Sequence, residues 1–371
     1  MQLEVFEVHR IYFDNNATTR RSEAVARVMS ELLYEPLNAS SIHSFGRQAR
    51  NLVESARMKI SSALGVSKGF RIIFTSSATE ANNMIIHSAK TNGMKVFACK
   101  TEHPSINKAG IDQYLSVDVN GEIALNEITG NGLFSVMLAN NETGVIQPIK
   151  DVLEAVRNTN SILHVDSVQA IGKIPFNCSE VGADAFTISG HKFGGPYGVG
   201  CLIYNPDVIK IHPLMFGGGQ EYGVRPGTEN VLAIHGLGVA VSEIDLRVKI
   251  MQERILPIKN YIESEILNFC DEVRIFGIKA KERLANTISM TMPGVKSEIQ
   301  VAYFDSHGIA VSAGAACSAG RVEFPEVQMA MTSTYEEASC TLRVSLGIEN
   351  NLDEAQFFVA KWKELYNKHR M

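Results

Sequence analysis

Residues 187–196 read TISGHKFGGP, an apolar run that ends at Ser189 and continues through Gly190, His191 and Lys192 into a glycine- and proline-rich turn. Such a run predicts a buried strand, and ligands of open α/β sheets bind beyond the carboxyl ends of the strands. A lysine there, preceded by hydroxyl and imidazole donors, suits a Schiff base with a phosphorylated aldehyde. The alternative is a solvated lysine on a tight turn. Other motifs in the sequence are needed to choose between these two interpretations.

Short apolar runs alternate with amphipathic stretches from about residue 11 to residue 204. One helical face, for example, carries Ile149, Val152, Leu153 and Val156. Strands that alternate with helices predict an α/β fold, in which a mainly parallel seven-stranded sheet is covered on both faces. The predicted strands are residues 11–13, 71–75, 95–99, 134–139, 162–165, 185–189 and 200–204.

The pattern changes after about residue 230. A helical stretch over residues 231–268 contains Pro257, which we expect to kink or split the helix. Shorter strands are predicted at residues 287–292 and 342–345, followed by a final helix with one apolar side. We therefore predict a large domain over residues 13–245, and a smaller α+β domain formed by residues 1–12 and 246–371.

The composition is ordinary for a globular protein. The 371 residues are 45% hydrophobic and 20% charged, which excludes a mainly disordered chain. The net charge of −5 gives no basic field that would attract nucleic acid or anionic membranes. The N-terminus has acidic residues where a signal peptide has basic ones, and the apolar stretch at 231–241 is too short to span a bilayer. We expect a cytoplasmic protein with no metal site and no contact with nucleic acid or membranes.

Two further polar motifs follow predicted strands. Asp166 ends one strand, and Gln169 follows three residues later. A carboxylate at a strand end can pair with a protonated pyridine nitrogen, or it can simply cap the next helix. Residues 76–83, SSATEANN, open a helix whose free N–H groups could hold a phosphate, although Ser77 and Glu80 also match a capping box.

His103 and Asn141 follow two other strands. His103, in TEHPS, could stack on a cofactor ring and move protons near neutral pH, or it could be structural. Asn141, in NNETG, could contact a ring oxygen or belong to an asparagine-rich turn.

Ten short motifs run in order along nearly the whole chain. They are YFDNNATT (12–19), NASSIHSFGRQAR (38–50), SSATEANN (76–83), TEHPSI (101–106), NNETG (140–144), HVDSVQ (164–169), SGHKFGGP (189–196), RPGTENV (225–231), SAGAACSAG (312–320) and LRVSLG (342–347). Together they resemble the bacterial cysteine desulfurases of the NifS and IscS type. These enzymes belong to the aminotransferase class-V group of pyridoxal-phosphate enzymes, which have fold type I.

The resemblance implies pyridoxal 5′-phosphate as the cofactor and gives each matching residue a role. Lys192 would form the Schiff base and later act as acid and base. Asp166 would pair with the pyridine nitrogen, and His103 would stack on the ring. Gln169 and Asn141 would contact the ring or its oxygen.

The resemblance also implies how phosphate and substrate are bound. Thr228 would reach the phosphate in the other subunit, so the active unit would be a homodimer. Asn38 and Arg343 would bind the substrate, and the planar guanidinium of Arg343 suits an α-carboxylate. Ser77 departs from the family, where a glycine is common. The implied phosphate ligands are Ala78, Thr79, Ser189 and His191.

Cys317 lies in a stretch of small residues without a bulky anchor, which predicts a loop able to carry a thiolate to a substrate. The alternative is a buried apolar cysteine. The resemblance implies that Cys317 takes sulfur from L-cysteine as a persulfide and leaves L-alanine. The acceptor would be an iron–sulfur scaffold protein or a sulfur carrier for tRNA thiolation.

The other five cysteines lie at positions 99, 178, 201, 270 and 340. The first four lie on or beside apolar runs, and we predict that they are structural. Cys340 precedes Arg343 by three residues and could lie near the site.

Two kinds of alternative function stay open. The chain could be another class-V enzyme, either a selenocysteine lyase or a transaminase of small amino acids. It could also be a sulfur-relay or scaffold-binding platform without turnover.

Overall fold

The strands of this protein form one large sheet and two small ones. The computed structural model describes residues 10–314, 324–331 and 334–370. Its strands are, in chain order, β1 (Ile11–Tyr12), β2 (Arg71–Thr75), β3 (Lys95–Cys99), β4 (Gln113–Leu115), β5 (Gly132–Met137), β6 (Ile162–Asp166), β7 (Ala185–Ser189), β8 (Gly200–Tyr204), β9 (Thr287–Thr291), β10 (Ile309–Ala310), β11 (Ser312–Ala313) and β12 (Thr341–Ser345).

The large sheet has seven strands in the order β2-β8-β7-β6-β5-β3-β4. Only β8 runs antiparallel to its neighbours, so the sheet is mainly parallel, as predicted. One of the seven predicted strands does not belong to the large sheet. Ile11–Tyr12 pairs with Ile309–Ala310 in a separate parallel sheet, and the seventh strand is Gln113–Leu115. This edge strand buries only Leu115, and therefore lacks the apolar run of an internal strand.

Helices cover both faces of the large sheet. Ile60 and Leu237 belong to the apolar cluster on one face, whereas Ile85 belongs to the cluster on the other. The helices are α1 (Glu23–Glu31), α2 (Ser44–Ala63), α3 (Ala78–Thr91), α4 (Pro104–Asn107), α5 (Ile149–Arg157), α6 (Cys178–Val181), α7 (Val231–Ala240), α8 (Ile244–Ile250), α9 (Leu256–Phe269), α10 (Ser297–Ser306), α11 (Glu326–Ala330), α12 (Tyr335–Ser339) and α13 (Leu352–Arg370).

A third apolar cluster contains the residues of the smaller sheets. The antiparallel sheet β11-β12-β9 packs with α9 and α13, whose Trp362 is fully buried. Ile11 and Phe13 join this cluster, and Asp14 then bridges to Ser345 at the end of β12. The N-terminal segment therefore passes from this cluster directly towards the large sheet. The division into two domains stays a prediction.

The helical run after residue 230 is interrupted rather than kinked once. A 3₁₀ turn, Val241–Glu243, separates α7 from α8, and a π-helical segment, Met251–Ile255, precedes α9. Pro257 lies in the first turn of α9, and without an N–H it cannot donate to a carbonyl of the π-helical segment before it. The break that we predicted at this proline therefore falls just before it. No helix in the described ranges is long and apolar enough to cross a bilayer.

Candidate active site

A cavity of about 550 Å³ opens where the carboxyl ends of the parallel strands meet the smaller antiparallel sheet. This is the edge at which open α/β sheets bind ligands. The cavity brings together residues that are far apart in the sequence. The predicted site residues that line it are Ala78, Thr79, His103, Asn141, Asp166, Gln169, Ser189, His191, Lys192 and Arg343.

Lys192 lies in a 3₁₀ turn, Gly190–Lys192, directly after β7. Its Nζ donates hydrogen bonds to the backbone oxygens of Asn16 at 2.6 Å and Ala17 at 2.7 Å. Burial and the positive charge of Arg343 lower the pKa of Lys192 to about 8. The amine is therefore far more often uncharged near neutral pH than an exposed lysine, and uncharged amines are nucleophilic.

Asp166 ends β6 and is buried at the floor of the cavity. One carboxylate oxygen accepts from Asn82 Nδ2 at 2.8 Å, and the other accepts from the Val168 backbone N–H at 3.0 Å. Burial raises the pKa of Asp166. Asp166 forms no ion pair with any described residue, so this carboxylate can take a cationic partner from the cavity.

His103 caps the short helix α4 through its ring. Its Nδ1 accepts the Ser105 backbone N–H at 3.1 Å, so the proton of the neutral ring must be on Nε2. The loss of surrounding water lowers the pKa of His103, although the ring remains open to the cavity. An uncharged ring of this kind can stack on a flat ligand and exchange a proton at Nε2.

The start of α3 forms another wall of the cavity. Ser77 Oγ accepts the Glu80 backbone N–H at 3.3 Å, as in a capping box. The Glu80 carboxylate, however, accepts the N–H of Ser76 at 2.6 Å and not that of the capping residue. The first N–H groups of α3, at Ala78 and Thr79, have no intrahelical acceptor and suit an anion.

A glycine lets β8 lie against this helix start. A Cβ atom at Gly200 would be 2.8 Å from the Ser77 carbonyl carbon and 2.9 Å from the Ala78 nitrogen. Any larger residue would displace the backbone that presents the two N–H groups. The shape of this anion cradle therefore depends on β8 as well as on α3.

Arg343 lies in the middle of β12 and is paired before any substrate arrives. Its guanidinium donates to Asp14 Oδ1 at 2.6 Å and to the Asn141 backbone oxygen at 3.3 Å. The Arg343 Nε is buried and has no hydrogen-bond partner among the described residues. The side chain is thus held in place by two of the five N–H donors of its guanidinium.

Described residues on both sides of the segment that contains Cys317 lie at the cavity or contact a residue that lines it. Residues 315–323, Cys317 among them, lie outside the described residues. Just before them, Ser312 lines the cavity and is paired in β11 with Arg343. After them, Gln328 Nε2 donates to Glu142 Oε2 at 3.0 Å, and Glu142 also lines the cavity. Burial raises the pKa of Glu142 to about 7.

Two predicted residues lie away from this cavity. Thr228 is exposed and lines a separate hollow together with Ser76 and Arg225. Asn38 is also exposed, and its side chain accepts the Ser40 backbone N–H at 3.0 Å. Within this single chain, neither residue reaches the other predicted groups.

The other five cysteines are free and buried. Burial raises the pKa of Cys99 and Cys201, and it raises the pKa of Cys178 to about 12. Thiols with raised pKa values are poor nucleophiles because the thiolate is the reactive form. Cys340 is buried beside β12 and does not line the cavity.

The sequence analysis missed several residues that complete the site. They lie within the motifs DNNATT, SSATEANN, TEHPS and NNETG, close in sequence to residues that we predicted for the site. Their position in these motifs was the only sequence feature that pointed to them. Among the described residues, no group of three or more His, Cys, Asp or Glu side chains could hold a metal ion. The missed lining residues include Asp14, Asn16, Asn82, Ser105 and Glu142.

The family of the chain follows from comparison with known proteins. The family model described as "Aminotransferase class-V" matches residues 11–358. The chain belongs to the aminotransferase class-V family. It is 35% identical to the "Cysteine desulfurase IscS" of Dictyoglomus turgidum, with 97% of this chain and 95% of that protein covered.

Solved structures of class-V relatives share the fold. The NifS-like protein from Rickettsia africae is 35% identical, has a TM-score of 0.88, and covers 97% of this chain and 100% of its own. The structure titled "SspA in complex with cysteine" is 27% identical, with a TM-score of 0.74 and coverage of 91% and 99%. The predicted α/β fold, with its mainly parallel sheet, is confirmed.

Proposed function

We propose that this class-V protein is a cysteine desulfurase that uses pyridoxal 5′-phosphate. One observation carries the proposal. A single cavity is lined by an amine of lowered pKa, a buried carboxylate that pairs with no cation among the described residues, and an arginine on the strand next to the one that leads to Cys317. Its relatives named cysteine desulfurase, and the one solved with cysteine, support the same substrate.

The residues of the cavity fit this cofactor in three respects. Asp166, buried and unpaired with any cation in the part of the chain that the structure describes, suits the protonated pyridine nitrogen. The free N–H groups of Ala78 and Thr79 suit the phosphate, with Ser189 and His191 beside them. Lys192 Nζ supplies the amine for the covalent attachment. When bound there, the cofactor would accept electrons from the substrate and so weaken its Cα–H and Cβ–S bonds.

The side chains around the cofactor would orient the substrate and move its protons. Arg343, which lines the cavity, would hold the α-carboxylate through the guanidinium N–H groups that its bonds to Asp14 and Asn141 do not use. Lys192, released as a free amine, would take the Cα proton at Nζ, because its pKa of about 8 leaves a larger fraction uncharged near neutral pH than an exposed lysine has. His103 would cover the ring face and exchange a proton at Nε2.

Cys317 would supply the thiolate that takes the sulfur. Cys317 is three residues from Gly314, a distance of at most about 11 Å in an extended chain, so it can reach a cavity that Ser312 lines. The Sγ of Cys317 bonds to the substrate sulfur, and the substrate Cβ–S bond breaks. The electron pair of that bond remains with the three-carbon product, which gains a proton and leaves as L-alanine. L-cysteine and a thiol thus give L-alanine and a persulfide, with no external oxidant.

The test of the function compares the amounts of L-alanine and sulfide that the protein releases. Purified protein loaded with pyridoxal phosphate and given L-cysteine and a thiol reductant should release L-alanine and sulfide in equal amounts. A transaminase would give a keto acid instead, and a sulfur-relay platform would give no alanine. Faster turnover of selenocysteine than of cysteine would favour a selenocysteine lyase.

We also propose that the active unit is a homodimer, because Thr228 and Asn38 are exposed and away from the cavity of their own chain. The Thr228 loop contacts the glycine-rich loop at 217–219, in which Gly217 lies against Pro226. The adjacent Phe216 is 91% exposed and continues an exposed apolar stretch with Leu214 and Met215, which suits a contact with another subunit. The homodimer would pass its persulfide sulfur to an iron–sulfur scaffold protein or a sulfur carrier. We infer a cytoplasmic location for it.

Phe216→Asp should therefore lower both dimer content and cofactor retention, because a buried charge at the contact costs free energy and Thr228 would leave its partner's phosphate. Light scattering and cofactor absorbance of the same chromatographic peak measure both effects. Ile299→Asp, at another exposed apolar position on α10, is the control and should change neither. A fully loaded, fully active monomer would refute the proposed homodimer.

Arg343→Lys should raise the KM for L-cysteine by roughly tenfold or more, since lysine lacks the planar fork that matches a carboxylate. The same variant should keep its cofactor absorbance, because Arg343 is assigned to the substrate. Steady-state kinetics and an absorbance spectrum separate the two effects. An unchanged KM would count against the carboxylate role.

A further inference from the structure

Lys173 is a buried lysine that none of the roles above uses. It follows Gln169 by four residues, in the turns after β6, and is 3% exposed. Its Nζ donates to Asn16 Oδ1 at 2.7 Å and to Gln169 Oε1. No carboxylate pairs with it among the described residues, and the neighbouring charges of Lys192, Arg343 and Arg247 are all positive.

These contacts are those of an uncharged amine. A neutral amine has two N–H donors, and both are used here, whereas an ammonium would have a third. A buried charge with no counter-ion would also carry a large desolvation cost. Burial and the three positive neighbours lower the pKa of Lys173 well below its usual value.

Asn16 connects Lys173 to the residues assigned to the cofactor. Its backbone oxygen accepts from Lys192 Nζ at 2.6 Å and from Gln169 Nε2 at 3.0 Å. Its side-chain nitrogen donates to the Asn141 backbone oxygen at 3.0 Å. One asparagine thus contacts three of the predicted cofactor residues, and Lys173 holds the side-chain oxygen of that asparagine.

The amide of Gln169 has only one orientation that satisfies these partners. Lys173 donates to Oε1, and the Asn16 backbone oxygen can only accept, so Nε2 must face it. The second N–H of Gln169 Nε2 then has no partner among the described residues, and Gln169 lines the cavity. That N–H is the donor available to a ring oxygen.

We propose that Lys173 is a positioning residue, which through Asn16 and Gln169 aims the Gln169 N–H at the cofactor ring oxygen and fixes the carbonyl that holds Lys192. This inference rests on the proposed cofactor and adds a residue that does not itself touch it. Loss of Lys173 would leave the buried Gln169 Oε1 without a donor among the described residues and free the Gln169 amide to turn. Asn16 Oδ1 would keep only its bond from Asn286 Nδ2 at 3.2 Å.

The test is Lys173→Met, which keeps the length of the side chain and removes the donors. Apo-protein titrated with pyridoxal phosphate should show affinity about tenfold weaker or worse, as expected for a lost bond to a charged oxygen. The pH midpoint of the bound cofactor's visible absorbance should also rise. A donor to the ring oxygen withdraws electron density from the nitrogen that joins the cofactor to Lys192, so loss of that donor makes this nitrogen more basic. Lys259→Met is the matched control, since Lys259 is 4% exposed, donates from α9 to the Leu284 backbone oxygen at 3.1 Å, and does not line the cavity.

A double variant separates positioning from simple stabilisation. If Lys173 acts through Gln169, Lys173→Met should shift the pH midpoint little further in a Gln169→Ala background. If Lys173→Met does not fold, Lys173→Gln carries the same expectations, because its amide is too short to reach both oxygens. Wild-type affinity and midpoint in the folded variant would overturn the inference. Failure of the wild-type protein to bind pyridoxal phosphate would instead overturn the proposed function.

Discussion

Cys317→Ser should reduce alanine release from L-cysteine by at least roughly a thousandfold, because a serine hydroxyl does not attack sulfur as a thiolate does. The variant should still bind pyridoxal phosphate and still change colour with L-cysteine, since Lys192, Asp166 and Arg343 line the cavity without it. Loss of product with retained early spectral changes would assign Cys317 to the sulfur-accepting step alone.

Mass spectrometry after a short pulse of L-cysteine identifies the accepting thiol. We expect one added sulfur on the peptide that contains Cys317 in the wild-type protein and no such addition in the variant. Cys340→Ser is the control, because Cys340 is buried outside the cavity, and it should retain wild-type turnover. A persulfide found only on Cys340, or alanine released at the wild-type rate by Cys317→Ser, would mean that the nucleophile had been misassigned.

Lys192→Ala should abolish both turnover and covalent attachment of the cofactor. Lys192 is the only lysine among the described residues that lines the cavity, so no second amine can replace it there. Borohydride reduction followed by peptide mapping should place the cofactor on Lys192 in the wild-type protein and on no peptide in the variant. Lys192→Arg retains a positive charge without a nucleophilic amine, and it should fail in the same way.

An unchanged, reducible absorbance band in Lys192→Ala would show that another lysine carries the cofactor. Free pyridoxal phosphate would still enter the cavity of the variant, since the anion cradle and Asp166 are intact. Equilibrium dialysis therefore distinguishes loss of the covalent bond from loss of the whole site.

The sequence predicted those parts of the site that local patterns determine. Lys192, Asp166 and His103 each follow an apolar strand within a few residues, and the edge of a parallel sheet brings such ends together. The strands 71–75 and 200–204 were predicted to the residue, because a buried strand is a continuous apolar run.

Contacts between distant parts of the chain could not be predicted in this way. Asp14 pairs with Arg343 across 329 positions, and no local pattern indicates such a partner. The sequence analysis did not single out Lys173, and only its burial against Asn16 distinguishes it. The edge strand β4 was missed because two of its three side chains are exposed.

Under the proposed function, the chain from Ser312 to Cys317 is a tether that starts beside the proposed substrate carboxylate site, where Ser312 pairs with Arg343. Attack then depends on the effective concentration of the thiol at the substrate, which is set by the few residues between Gly314 and Cys317. Lengthening that tether changes how often the thiol arrives and leaves the grip on the substrate untouched. Substrate affinity and rate of sulfur capture are therefore separate quantities in this fold, and each can be adjusted without the other.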